Sequence, residues 1–398
     1  MNSNITNSNS NTNSINSNLE IETFSKWDEL NIDPKILRGI YSYGFEIPSP
    51  IQSKSIISIC KGRDIIAQAQ SGTGKTASFT IGTLSQIDTN IHHTQAIILA
   101  PTRELATQIS NVFQSISCMM TNIRIKTIIG GTSISEDIND IIYNPPHIIV
   151  GCPGRVYDLM KRRYIDGMKI KILVMDEADE MLSQGFLEQI KNIILQMNKN
   201  TQIALFSATL PTNICQITDN FMRNPVNIIV KAESLTLEGI KQYYIAVNND
   251  NEKYEILKDI YHLISVSQCI IYCNSVNRVI KLYNSMKYDN FPVSCIHSNM
   301  DKNERQSSFN EFKTGASRVL ISSDITARGI DIQQVSIVIN FDVPKNTHTY
   351  LHRIGRSGRF GRKGCGINLV TSRDLYKMRE IETYYSTEIK EFPNNFQI

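Results

Sequence analysis

The chain has 398 residues, long enough for two or three domains of ordinary size. Its 41 basic and 38 acidic side chains leave a net charge of +3, which excludes a protein that holds polyanions by bulk charge; any nucleic-acid role has to rest on local basic clusters. With 41% hydrophobic and 20% charged residues the bulk of the chain folds, and no apolar run reaches the roughly 18 residues of a membrane span.

Most of the first 18 residues are Asn or Ser, too little apolar area to offset the entropy of ordering them, so residues 1–21 are expected to be a disordered tail. A helical pattern from Asp33 to Tyr43 follows, ended by Gly44. Short β-branched runs then recur at 64–69, 95–100, 123–130, 147–151, 171–176 and 202–207, separated by stretches long enough for crossover helices. After Asn224-Pro225 a second series begins, at 241–247, 268–273, 292–297, 318–323, 335–341 and 366–370. The pattern predicts an α/β protein with one domain over 22–225, a linker over 226–237 and a second domain over 238–398. The eight cysteines form no CxxC pair and no zinc-ligand spacing, which points to reduced core thiols. No signal peptide is recognisable, and a soluble, cytoplasmic protein is expected, with a nuclear one also compatible.

The polar residues that stand out come directly after strands, on the edge where open α/β sheets bind ligands. Ala69-Gln70-Ser71-Gly72-Thr73-Gly74-Lys75-Thr76 fits a phosphate-binding loop apart from Ala69, where the general pattern has Gly. Gly72 and Gly74 let backbone N–H groups and a helix N-terminus face a phosphate, Lys75 adds a point charge, and the Thr76 hydroxyl suits Mg²⁺. A Gly-rich turn opening an ordinary helix is the plainer reading. Asp176-Glu177-Ala178-Asp179 ends another apolar strand, placing Asp176 to hold Mg²⁺ and Glu177 to orient or deprotonate an attacking water. An acidic helix N-terminus would explain those charges but not their place after a buried strand.

With AQSGTGKT, PTRELA, DEAD, SAT, ARGID and HRIGRSGR in this order, the sequence from about residue 22 onward resembles the DEAD-box ATP-dependent RNA helicases. YGFEIPSPIQ, ALFSATLP and LHRIGRSGRFGRKG bring it nearest to the initiation factor 4A subgroup. The resemblance implies two tandem RecA-like domains, each a mostly parallel sheet with helices on both faces. It implies that Phe45 and Gln52 read adenine, although a core aromatic explains Phe45 equally well by residue type. It makes Arg356 and Arg359 arginine fingers, Asp331 a ribose contact, and Ser207, Thr209, Asp179 and His352 the couplers of nucleotide to RNA. The arginine-rich run over 352–364 could otherwise be a solvated basic face, and Ser207 and Thr209 could be turn formers.

The same resemblance assigns Pro101, Thr102, Arg103, Gly131, Gly154, Arg155 and Ser323 to the sugar-phosphate backbone of single-stranded RNA, contacts that carry no direct sequence information. Cys152 stands where the family usually has Thr, and a thiol is the weaker hydrogen-bonding group. Ser323 keeps the hydroxyl of a usual Thr, and Lys302 replaces a common Gln. The expected activity is RNA-stimulated ATP hydrolysis that unwinds short duplexes, in translation initiation, by a monomer that docks a scaffold or activator of the initiation factor 4G type. An ATP-dependent RNA clamp that anchors other proteins uses the same motifs. A DNA helicase is the third reading.

Overall fold

The computed structural model describes residues 21–69, 72–210, 212–230, 240–264, 268–324, 335–357 and 364–393. Most of the expected tail lies outside the described residues, as do four candidate site residues, Gln70, Ser71, Asp331 and Arg359.

The first series of apolar runs forms β1 (Ile65–Gln68), β2 (Ala96–Leu99), β3 (Ile125–Ile128), β4 (Ile148–Gly151), β5 (Ile172–Met175), β6 (Gln202–Ser207) and β7 (Val226–Ile229). The second forms β8 (Ile240–Ala246), β9 (Cys269–Tyr272), β10 (Val293–Ile296), β11 (Val319–Ser322), β12 (Ile337–Asn340), β13 (Gly364–Val370) and β14 (Lys390–Glu391). They make two 7-stranded sheets, ordered β3-β4-β2-β5-β6-β1-β7 and β10-β11-β9-β12-β13-β8-β14, and every pairing is parallel. This is the expected pair of RecA-like lobes.

A parallel sheet is covered by helices on both faces, so its central strands are apolar throughout. Along β5, Ile172 and Val174 enter one core with Trp27, Phe79, Phe113 and Phe206, while Leu173 and Met175 enter the other with Leu159 and Ile190. The second sheet repeats this, with Ile271, Ile321 and Ile339 on one side and Ile270, Leu320 and Val338 on the other.

Two strands escape the sequence pattern. β7 pairs with β1, Ile65 opposite Val226, so Val226–Ile229 belongs to the first sheet and not to the expected linker. As an edge strand it is buried only at alternate residues, and a four-residue VNII after Asn-Pro gives little periodicity to read. β14 has only two residues, both exposed. Seven of the eight cysteines are described and are free; Cys269, Cys273, Cys295 and Cys365 are buried, Cys60 and Cys152 are half-buried, and Cys118 is exposed, not in a core. No helix among the described residues is long and apolar enough to cross a membrane.

Strand order also sets the site. β5 and β6 lie between β2 and β1. The segment after β6, Ser207 to Thr209, is therefore wedged between the phosphate loop after β1 and the acidic run after β5.

Candidate active site between the two lobes

The loop after β1 turns through Gly72 at φ 85° and Gly74 at φ 100° into the helix Lys75–Leu84. Gly74 caps this helix without a side-chain bond, leaving first-turn N–H groups directed out of it, the arrangement that receives an anion. Glycine is required here twice over. The positive φ disfavours other residues, and a Cβ on Gly74 would stand 2.5 Å from Gln52 Nε2. Gln52 Nε2 donates to the Gly74 carbonyl at 3.3 Å, and its Oε1 accepts from the Ser49 N–H at 2.7 Å in a capping box on the helix Pro50–Cys60. Each amide atom retains a second hydrogen-bonding position, so the side chain can brace the loop and still meet a base edge. Phe45 is half-buried, its ring 4.9 Å from Tyr43 and 6.2 Å from Trp27.

Lys75 is buried; its Nζ donates to the Ala69 carbonyl at 2.8 Å and lies 3.5 Å from Glu177 Oε1. Glu177 adopts φ 50°, ψ 51°, a left-handed backbone that non-glycine residues rarely hold, immediately before the short helix Ala178–Ser183. Its N–H donates to Asp176 Oδ1 at 3.0 Å. Burial, and then the neighbouring Glu177 carboxylate, push the Asp176 carboxyl above its ordinary range, against the pull of Lys75. Two buried carboxylates facing one lysine fit a further hard cation, and Thr76, half-buried in the helix's first turn, adds a hydroxyl oxygen.

The acidic run continues into a closed ring of hydrogen bonds. The Asp179 N–H donates to Ser207 Oγ at 3.3 Å, Ser207 Oγ donates to the Thr209 carbonyl at 2.6 Å, and Thr209 Oγ1 donates to Asp179 Oδ2 at 2.7 Å. His352, from the helix Thr347–Ile354 of the second lobe, places Nε2 3.5 Å from that same Asp179 oxygen. One ligand atom each from Glu177, Asp179 and His352 lies within 4.8 Å of the others. The fold thus brings His352, distant along the chain, to the acidic run.

The arginine-rich run divides. Arg353 is fully buried and spent inside the second lobe. It donates to Asp324 at 2.6 Å, to the Asp342 carbonyl at 2.8 Å, to Asn274 at 2.7 Å and to Asn340 at 3.2 Å, and lies over the Tyr272 ring. Arg356 is also buried, in the turn that leaves this helix, where a parallel bridge between Val335 and Ser357 fixes the chain. Neither belongs to a solvated basic face.

On the opposite side of the strand ends, Thr102 caps the helix Arg103–Ile116 through Oγ1, which accepts from the Leu105 N–H at 3.2 Å. Pro101, just before it, is buried. The Arg103 guanidinium packs on the turn after β3: a Cβ on Gly131, at φ 85°, would stand 2.5 Å from its Nη1. A Cβ on Gly154, in the first turn of the helix Pro153–Lys161, would meet nothing within 4 Å. Ser323, half-buried, follows β11 in the second lobe, its carbonyl accepting from Ser322 Oγ at 2.9 Å. Arg155 is held within the lobe: Nη1 donates to Asp137 at 2.9 Å and Nη2 to the Thr132 carbonyl at 3.1 Å.

Cys152 caps the helix Pro153–Lys161 without a side-chain bond, and burial pushes its thiol up to about 12. A hydroxyl there would satisfy an orphan N–H. Cys152→Thr is expected to add about 0.5–1 kcal/mol, a rise of roughly 1–4 °C in melting temperature that calorimetry would record.

One contact had no sequence-level candidate. Arg305, in the helix Lys302–Lys313, pairs its Nη1 with Glu104 Oε1 of the first lobe, while its Nη2 donates to the Ser298 carbonyl at 3.2 Å. Nothing local in a sequence marks a partner 201 residues away.

Residues 49–217 match the DEAD/DEAH box helicase family, and residues 252–361 the helicase conserved C-terminal domain. The chain is 53% identical to the ATP-dependent RNA helicase eIF4A of Scheffersomyces stipitis over 92% of each protein, and equally so to that of Candida albicans. The chain belongs to the DEAD-box helicases, in the eIF4A subgroup. A solved relative, S. cerevisiae Dbp5 bound to RNA and ADP BeF3, is 35% identical and superposes with a TM-score of 0.85 over 92% of this chain and 95% of that one. In this DEAD-box chain the namesake run Asp176–Asp179 thus lies at the lobe junction.

Proposed function

We propose that this protein is an RNA-stimulated ATPase that unwinds short RNA duplexes in translation initiation. The observation that carries the reading is the meeting of Glu177 and Asp179 with His352 of the second lobe. It joins the residue suited to activate water to a group that leaves if the lobes part.

Phe45 and Gln52 would receive the adenine, and Ala69 to Thr76, with Gln70 and Ser71, the phosphates. Lys75 would exchange the Ala69 carbonyl for a phosphate oxygen, a stronger, charge-assisted bond. Mg²⁺, held by Asp176 and Thr76, would neutralise charge on the phosphate oxygens. Glu177 would accept a proton from the attacking water. Arg356, and Arg359 with it, would face the terminal phosphate from the second lobe, and Asp331 the ribose. The ring of Asp179, Ser207 and Thr209 conveys lobe closure to the acidic run, because moving His352 disturbs the oxygen that Thr209 also uses.

Pro101, Thr102, Arg103, Gly131, Gly154 and Ser323 would line the backbone of a single RNA strand across both lobes. Such contacts predict indifference to base order, and contacts to the 2′-hydroxyl a preference for RNA over DNA. A monomer acting in the cytoplasm with a scaffold of the initiation factor 4G type completes the proposal, resting on kinship with the eIF4A proteins.

The test is ATP turnover with single-stranded RNA, with DNA of equal length, and with neither. RNA should stimulate it at least about tenfold and DNA far less. Equal stimulation by DNA would refute the RNA assignment, and no stimulation would refute the coupling. An RNA complex that outlives hydrolysis many times over would favour the anchoring clamp.

A further inference from the structure

We infer that Asp137 is a positioning residue for RNA, acting through Arg155 on the glycine turn after β3; the inference rests on the RNA path proposed above. Asp137 lies in the helix Ile134–Tyr143, only 2% exposed, yet it touches no nucleotide-site residue described above. It accepts from Arg155 Nη1 at 2.9 Å and, more weakly, from Thr132 Oγ1 at 3.4 Å, and lies 3.8 Å from Lys126 Nζ. Arg155 Nη2 donates to the Thr132 carbonyl at 3.1 Å, and Thr132 Oγ1 donates back to the Ile129 carbonyl at 2.9 Å, closing the turn that contains Gly130 and Gly131.

The chain of contacts therefore runs from Asp137 to Arg155, on the first turn of the helix Pro153–Lys161, and on to the exit of the Gly130–Gly131 turn. It ties the two glycine segments proposed above to meet the RNA backbone, Gly131 and Gly154, into one unit. Arg103 packs on the same turn from the other side. A turn at φ 85° has few contacts of its own to hold it, and backbone N–H groups bind a phosphate well only when already aimed. Burial of Asp137 against Arg155 supplies that aim. Asp137 is not a contact residue, and Arg155 acts as a strut.

The strut and the direct-contact readings of Arg155 predict opposite signs for one substitution. Asp137→Asn keeps the shape but removes the charge that fixes Arg155. If Arg155 bound phosphate directly, the variant would free a guanidinium and remove a nearby negative charge, so RNA affinity would rise and its salt dependence steepen by about one phosphate contact. A strut predicts the reverse: the RNA concentration for half-maximal ATPase stimulation rises about tenfold, the loss falling on that concentration and not on the maximal rate. Asp137→Glu, which restores the charge, should recover most of it. Asp137→Ala and Arg155→Ala should each weaken RNA binding and be non-additive together, since both remove the same strut.

Fluorescence anisotropy with a labelled single-stranded RNA at two salt concentrations, with melting temperatures to confirm folding, reads these outcomes. Unchanged or tighter RNA binding by folded Asp137→Asn overturns the inference while leaving the proposed function standing. A wild-type protein that RNA does not stimulate removes the proposed function, and this inference with it.

Discussion

Glu177→Gln is expected to lower RNA-stimulated ATP turnover by about 10²–10⁴-fold while leaving nucleotide affinity within a few-fold of wild type. The geometry gives the reason for both halves. Glu177 is held left-handed between a buried strand and a short helix, with its carboxylate 3.5 Å from Lys75 and close to both Asp179 and His352. A residue that only filled space would not require that backbone. Glutamine keeps the volume and the backbone N–H on Asp176 but is no longer a base. Removing the negative charge also relieves one of the causes that raise the Asp176 carboxyl, the second after burial, so Asp176 becomes the better cation ligand and affinity for the metal-bound nucleotide is preserved. Turnover under saturating RNA, beside binding of a fluorescent nucleotide, separates the roles. If turnover and affinity fell together, Glu177 would be only the counter-ion of Lys75.

The sequence made the first half of this site legible because each part is local. A strand, a glycine turn, a lysine and a helix follow one another without interruption from Ile65 to Leu84, and an apolar strand ending in two carboxylates needs no partner to be recognised. Periodicity also gave the two α/β lobes, since strands buried on both faces are apolar without alternation. β7 was lost for the complementary reason: an edge strand has one neighbour and only two buried residues. Side-chain fate was harder. The arginine-rich run reads as uniform charge, yet the structure buries Arg353 on four oxygen acceptors. Arg155 reads in the sequence as a free cation, and the structure sets the buried Asp137 against it. In both cases the decisive neighbour comes from another element, and no spacing in the chain announces it.

The interlobe pair of Glu104 and Arg305 is the limiting case, and it carries the second large prediction. Arg305→Glu should reduce RNA-stimulated turnover by about 10²-fold, because two carboxylates would meet where the lobes close; like charges at such a joint cost several kcal/mol. Glu104 has a local reason to exist, in the first turn of a helix whose dipole favours an acid, so its presence alone argues for nothing across the lobes. Arg305 has none. It is 8% exposed, and a cation so buried needs the partner the other lobe provides. The double variant Glu104→Arg, Arg305→Glu restores opposite charges and should regain part of the loss. It should not regain all, since an arginine opposes the helix dipole and a glutamate cannot donate to the Ser298 carbonyl. A double variant as poor as the worse single one, with both lobes still folded by circular dichroism, would mean that the ion pair does not govern closure. Substantial rescue would place the closing force in a contact that joins the first turn of one lobe's helix to that of the other, separate from the contact of His352 with Asp179.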